Sequence, residues 1–463
     1  MGGNLAAEEI LVIIPIHLMY SWLPPHPWAV LGIFLAAMPA GRPAVGGETV
    51  PAASPIDLAA ALRLAGAQDL DVALAREKLA AAQADLVSAQ WRFFPWIEPG
   101  VTYFRHDNLY QNGAGLLLDS HKEDFYIGPS VTLKLDLGDA IYSRLAARQL
   151  VHAAASGLEG QRQEAVLATA RGYFDLARTQ LAVGVVRDAV RIAEEYASQV
   201  RQAADHGQAF KGDALQVQVQ TDRNRLELGR ALEATQLAAA QLAATLHVDP
   251  AVELVATDGE LVPINLLARD ATRGTLISQA LAHRPELAQH RSEAAAARAA
   301  EDGAIYGPLY PIVGAQIFAG ALGGSGNGVT GTTGQTEDYL VTVGWRIGPG
   351  GLFDSGRIRA AESRVRAANL STEKVADEIV RQVVDSYVRL QSLADQMDTA
   401  RRALGTATEA LRLTQARGDF AVGVVLENIQ AQQVLTRTRL DYLDLVTEFD
   451  IAGYALQRAI GGL

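Results

Sequence analysis

None of the 463 residues is cysteine, which removes disulfides, thiolate metal ligands, cysteine nucleophiles and any cysteine that could carry a lipid. Aromatic residues make up only 6% although hydrophobic residues reach 49%, because alanine supplies much of the apolar content. Such a composition makes a poor bulky core but suits helices that approach closely. Positive charge is also short: 40 Lys and Arg stand against 52 Asp and Glu, a formal charge of −12. A nucleic-acid partner would call for a basic face, so none is expected. No glycine-rich phosphate loop leads into Lys-Ser or Lys-Thr, so the chain is not an NTP-driven energy source. Serine, histidine and aspartate are too dispersed to argue a triad. His283, Glu286 and His290 come nearest to ligand spacing, but lacking a further ligand they predict no metal site. No cofactor is expected, and no enzymatic activity.

Long apolar runs are missing too. The best, Trp28 to Ala37 (WAVLGIFLAA), is about half of the roughly 20 residues that span a bilayer as a helix. It has the length of a signal-peptide core, with small residues around Ala44-Val45-Gly46-Gly47 to suit a peptidase. No Lys or Arg precedes Arg42, and Glu8 and Glu9 are acidic, so Met19 is a second candidate start. Residues 1–47 are read as a signal peptide or a disordered N-terminus.

What the chain does contain, it contains twice. Arg223-x-Arg225-Leu226-Glu227 returns about 214 residues later as Arg437-x-Arg439-Leu440-Asp441. Gly172-Tyr173-Phe174 pairs with Ser386-Tyr387-Val388, Phe94-Pro95 with Tyr310-Pro311, and Leu246-His247 with Ile460-Gly461. Each copy runs helix, two alternating strands, very long helix, turn, long helix, which implies pseudo-symmetry. From Arg357 to Arg417 there is no proline and one glycine, Gly405. Leu390, Met397, Leu404 and Leu411 repeat every seven residues, with Leu393, Ala400 and Ala407 interleaved. That is a coiled-coil seam. Ile141 to His206 matches it through Leu167, Phe174 and Leu181.

The strands decide what the rods are for. Tyr339, Val341, Val343, Trp345 and Ile347 alternate with Leu340, Thr342, Gly344 and Arg346. Val131, Leu133, Leu135 and Leu137 alternate with Thr132, Lys134 and Asp136. One apolar and one mixed face over about ten residues is the pattern of a membrane β-strand, so Val341, Val343, Trp345 and Ile347 are expected to face lipid. Weaker partner strands lie near Val101–Arg105 and Ile312–Ala319, with long polar or glycine-rich loops between. Phe94, Trp96, Tyr103, Tyr126, Tyr310 and Phe353 sit near strand ends, where an interfacial belt would be. Four strands cannot close a barrel, whose smallest membrane forms have about eight, so copies must share one; three give twelve strands.

These features together resemble the TolC-type outer-membrane efflux family over nearly the whole stretch from Ile56 to Leu463. Pro349-Gly350-Gly351-Leu352-Phe353-Asp354-Ser355-Gly356-Arg357 is similar to its turn from strand to long helix. Leu246-His247-Val248-Asp249-Pro250 is similar to the end of its first half, and Gly418-Asp419-Phe420-Ala421-Val422-Gly423-Val424 to its Val-Gly tip. The resemblance implies a mainly α fold with a transmembrane β-barrel portion: a homotrimer, a twelve-stranded barrel in outer-membrane lipid, and an α-helical tunnel in the periplasm. It implies a passive exit duct for a tripartite efflux pump or type I secretion system, opened by a periplasmic adaptor and an inner-membrane transporter. The first tip, Gly207-Gln208-Ala209-Phe210-Lys211-Gly212-Asp213, departs from the pattern: it lacks Val-Gly.

The expected organisation is a first repeat at 48–255 (strands 99–106 and 126–137, tip 207–213), a linker at 256–271, and a second repeat at 272–463 (strands 312–320 and 338–347, tip 418–424). Gly207, Gly212, Gly418, Val422 and Gly423 allow the reversals and are the candidate adaptor-docking tips. Asp213 and Glu427 have two readings, an acidic entrance gate or solvated surface carboxylates. Arg223, Arg225, Arg437 and Arg439 are expected to brace neighbouring rods beside Glu227 and Asp441. A periplasmic adaptor or a coiled-coil structural protein is the alternative. An adaptor normally has one hairpin per chain, and a scaffold leaves the strands unexplained.

Overall fold

The computed structural model describes residues 54–249, 252–268, 271–326, 331–419 and 425–463, all within the unit Pro51–Leu463. The expected signal segment, 1–47, lies outside them. The order is β1 (Ser54–Ile56), α1 (Leu58–Gln68), α2 (Leu70–Trp91), β2 (Trp96–Gln111), β3 (Leu117–Asp136), α3 (Leu137–Asp205), α4 (Lys211–Thr245) and β4 (Leu254–Ala256). The second half repeats it: α5 (Arg273–His283), α6 (Pro285–Ile305), β5 (Ile312–Gly326), β6 (Thr333–Gly344), α7 (Ser355–Asp419) and α8 (Val425–Ala459).

Helix starts follow from local chemistry. Asp69 accepts from the Val72 N–H at 2.9 Å to cap α2, and Asp136 from the Asp139 N–H at 3.0 Å to cap α3. Asp354 accepts from the Arg357 and Gly350 N–H groups at 3.0 and 2.9 Å, which holds its carboxyl below the usual range and starts α7. Pro285 occupies the first turn of α6, where its missing N–H costs no bond. Without internal proline, α3 continues for 69 residues and α7 for 65, each roughly 100 Å long.

The hydrophobic core sits halfway down these rods. Tyr173, Phe174 and Leu176 of α3 meet Leu242 of α4, Ile379 and Val383 of α7, and Val446 and Leu456 of α8. Ala61 and Ala65 of α1 and Ala280 of α5 close the cluster, with the parallel pair β1–β4 beside them. Side chains this small let the short helices lie directly against the rods, which is how an alanine-rich chain fills its core. The seam residues Leu390, Leu393, Met397, Ala407 and Leu411 are all buried. One wall results: helices in the order α2, α3, α6, α7 continue strands in the order β2, β3, β5, β6. Farther along, α4 packs on α3, α3 on α8 and α8 on α7.

The strands are longer than sequence alternation indicates. Pairing runs unbroken from Trp96↔Thr132 to Gln111↔Leu117, so much of the expected loop between 106 and 126 is ladder. Alternation fades there because polar residues fall on both faces around His106–Asn108 and apolar ones on both faces at Leu117 and Leu118, while backbone pairing does not depend on side-chain polarity. At its other end β6 stops at Gly344, before the expected 347. Its last pair is Ile312↔Gly344, so Trp345 and Ile347 lie beyond it and are not strand residues facing lipid. There the chain turns through Gly348, Gly350 and Phe353, all at positive φ, with Ile347 bridging only to Leu352.

Candidate functional site: the two-faced sheet and the helical tips

Register assigns every strand residue to one of two faces, because directly paired residues share a side. Ile97, Val131, Ile317 and Tyr339 form one row; Leu133, Ala315 and Val341 the next; Leu135, Val313 and Val343 the third. On β3 this apolar face extends from Phe125 to Leu135, roughly 33 Å along the strand and about 25 Å high once tilted. Above it the same side turns ionic: Arg105 meets Asp107 at 2.8 Å and Glu123 at 3.2 Å.

The opposite face is wet in character. Glu98, Ser130, Phe318 and Asp338 form one row, Lys134, Gly314 and Thr342 another. The Gln316 amide donates to Ser130 Oγ at 3.2 Å between rows. Neither β2 nor β6 has a second neighbour among the described residues. The sheet is therefore two-sided and open at both edges. No described helix is long and apolar enough to cross a membrane.

Val341 and Val343 lie on the apolar face and are exposed in the single chain. Trp345 instead anchors the rim, its indole N–H donating to the Leu309 carbonyl at 3.1 Å.

At the first tip α3 ends in a reversal. Gly207 takes φ 73°, and the Gln208 N–H reaches back to the Ala203 carbonyl at 2.7 Å. At Gly212 a Cβ would meet the Phe210 ring at 2.5 Å, so a larger residue there would require that ring to turn aside. Phe210 is 76% exposed. Of the second tip, Gly418 is in the last turn of α7, whereas Val422 and Gly423 lie outside the described residues.

Asp213 and Glu427 occupy corresponding places, the first turns of α4 and α8, where a carboxylate is stabilised by the helix N-terminus. Glu427 is paired with Arg417 at 3.1 Å, across its own hairpin.

The repeated arginines divide. Arg225 joins α4 to α3 through Glu194 at 2.7 Å and also meets Asp222 at 3.0 Å. Arg437 reaches only Asp441 on its own helix, at 4.0 Å, and Arg223 and Arg439 make no ion pair among the described residues. Beside Arg225–Glu194, inter-rod bracing comes from pairs the repeat did not single out, Arg178–Asp444 at 3.0 Å and Arg389–Glu448 at 3.2 Å. Sequence reasoning also missed a buried knot. Arg284, its side chain 2% exposed, pairs with Glu286 at 2.8 Å and donates to the Ala459 carbonyl at the end of α8. Arg458 joins the same Glu286 and Glu164, each at 2.9 Å. Glu286 is thus committed to arginines, while His283 bonds to its own helix and His290 to Glu293. No described group of three or more acidic or histidine side chains could hold a metal.

Known proteins share this architecture. A membrane protein from Pseudomonas aeruginosa superposes with TM-score 0.76 at 19% identity, over 87% of this chain and 92% of that one. CusC, a transmembrane channel, superposes with TM-score 0.73 at 18% identity, over 88% and 92%. Those identities speak to the fold. Among curated proteins, outer membrane protein OprJ of Pseudomonas aeruginosa is 27% identical over 247 residues. That alignment takes in 52% of this chain and spans about half, 49%, of OprJ. The outer membrane efflux protein profile matches residues 61–246 and 276–462, one match on each repeat. Matched in both halves and folded as its relatives are, the chain belongs to the outer membrane efflux protein family.

Proposed function

We propose that three copies close one twelve-stranded barrel in the outer membrane, continued through the periplasm by a tunnel of their helices. It is a passive exit duct for a tripartite efflux pump or type I secretion system, with no chemical step at any residue. The observation that carries this reading is the sheet: apolar on one side, polar on the other, unpaired at both edges. Lipid suits the first side and a water-filled lumen the second, and further copies supply the missing edge partners. The lateral helices agree, since Leu70 and Leu74 of α2, Leu215 and Leu226 of α4 and Leu370 of α7 are all exposed. A periplasmic adaptor or scaffold has no use for such a sheet.

In this reading the tips meet the adaptor, through Gly207 and Gly212 on one hairpin and Gly418, Val422 and Gly423 on the other. Asp213 and Glu427, near those tips, line the entrance, and opening breaks the Arg417–Glu427 pair. Reconstitution of the purified chain in planar bilayers tests the duct. A trimer that carries ionic current is expected, and a monomer without current would refute it. A photo-crosslinker at Val422 is expected to capture the adaptor.

A further inference from the structure

Where the sheet passes into the helices, a recess of about 270 Å³ is lined by three arginines, Arg346, Arg357 and Arg364. Its upper wall includes Asp136 and Ile312, direct partners on the polar face, so the recess opens on that side of the wall. None of the three arginines has an ion pair among the described residues. Arg357 donates to the Ala304 carbonyl at 3.0 Å, but its buried Nε has no partner.

The two acids in the lining are already engaged. Asp136 caps α3 through the Asp139 N–H, and Asp139 pairs with Arg92 at 2.6 Å. Asp354, next along the chain, is taken up by two backbone N–H groups. Tyr142 and Tyr310 add aromatic walls.

Three guanidinium groups without an ion-pair partner in one recess, within a chain of formal charge −12, have one natural complement. Their planar forks match carboxylate, sulfonate or phosphate oxygens, and the tyrosines offer ring faces to an apolar body. We propose that this recess binds the acidic group of aromatic organic anions as they pass from tunnel to barrel. Transit past the recess rests on the duct reading, whereas the binding itself does not.

The test uses the full chain in detergent and a hydroxypyrene trisulfonate dye, followed by fluorescence anisotropy. Arg346→Gln with Arg364→Gln removes two charges whose side chains make no hydrogen bond or ion pair among the described residues, so a cooperative melt should be retained. Binding at least tenfold weaker than wild type is expected, with the Arg346→Lys, Arg364→Lys variant in between. Equal affinity in wild type and the Gln variant would overturn the recess. In planar bilayers the dye should block wild-type current and spare the Gln variant. A protein that binds the dye but passes no current would retain the recess and refute the duct.

Discussion

Both return helices end on a residue in the left-handed region, but with different side chains: His247 at φ 51° after α4, Gly461 at φ 74° after α8. The hydrogen bonds match, Val248 N–H to Ala243 O at 3.0 Å and Gly462 N–H to Gln457 O at 2.8 Å. A side chain in that region costs about 1 kcal/mol, and glycine avoids it. His247→Gly should therefore raise stability by about 1 kcal/mol in denaturant unfolding. Gly461→Ala should lower it by at least as much, since its Cβ would also stand 3.0 Å from the His283 carbonyl. A second residue-scale case is Asp450 of α8, which is fully buried. One oxygen accepts from the Ile264 N–H at 2.7 Å, the other has no partner, and burial pushes the carboxyl up to about 7. Raised above its unfolded value, it gives the folded state an extra proton between pH 4 and 7. Stability should be highest below pH 4 on this account and fall through that window, by about 1.4 kcal/mol per pH unit at most. Asp450→Asn keeps the acceptor and removes the charge, so the melting temperature should lose that slope; an unchanged slope would place it elsewhere.

At the scale of elements, neighbours on β3 should behave as opposites. Val131 is central in the apolar band and Thr132 belongs to the polar face. Val131→Arg should cost about 2–4 kcal/mol of membrane stability and block assembly in liposomes, whereas Thr132→Arg should insert normally. Equal behaviour of the two would mean that the faces are wrongly assigned. Much of this was legible in the chain itself. Repeated pairs such as Leu246-His247 and Ile460-Gly461 fall at equivalent helix ends, and the Leu390–Leu411 seam is buried except at Ala400 and Leu404, which are half-buried. What stayed hidden has physical causes. Past Asp107 polar and apolar residues fall on both faces, as with the adjacent Leu117 and Leu118, so period-two alternation vanishes while the ladder continues. Trp345 and Ile347 keep the alternation of β6 although no partner strand remains beside them. Nothing local marks Arg284 or Asp450 as buried, because their partners lie far along the chain, Gln382 and Ala459 for Arg284 and Ile264 for Asp450.

For the whole molecule, the decisive quantity is how many copies close the ring. A sheet with free edges at β2 and β6 can pair head to tail without limit unless curvature closes it. Strand tilt, twist and stagger fix a definite number, and twelve strands correspond to three chains. The absence of cysteine makes this directly measurable, since any introduced pair reports alone. A cysteine at Thr102, on the polar face of β2, can be combined in turn with one at Thr336, Asp338, Leu340 or Thr342 on the polar face of β6. A disulfide needs Cβ atoms about 4 Å apart on one side of the sheet, so only one or two neighbouring registers should link. Cysteines at Tyr339 or Val341, on the apolar face, should not link to Thr102→Cys at all. Within the linking register, oxidised protein should run as dimers and trimers and stop there, because the third bond closes the circle. Larger ladders would mean an open filament, and absence of any linking register would mean that β2 and β6 do not meet across copies.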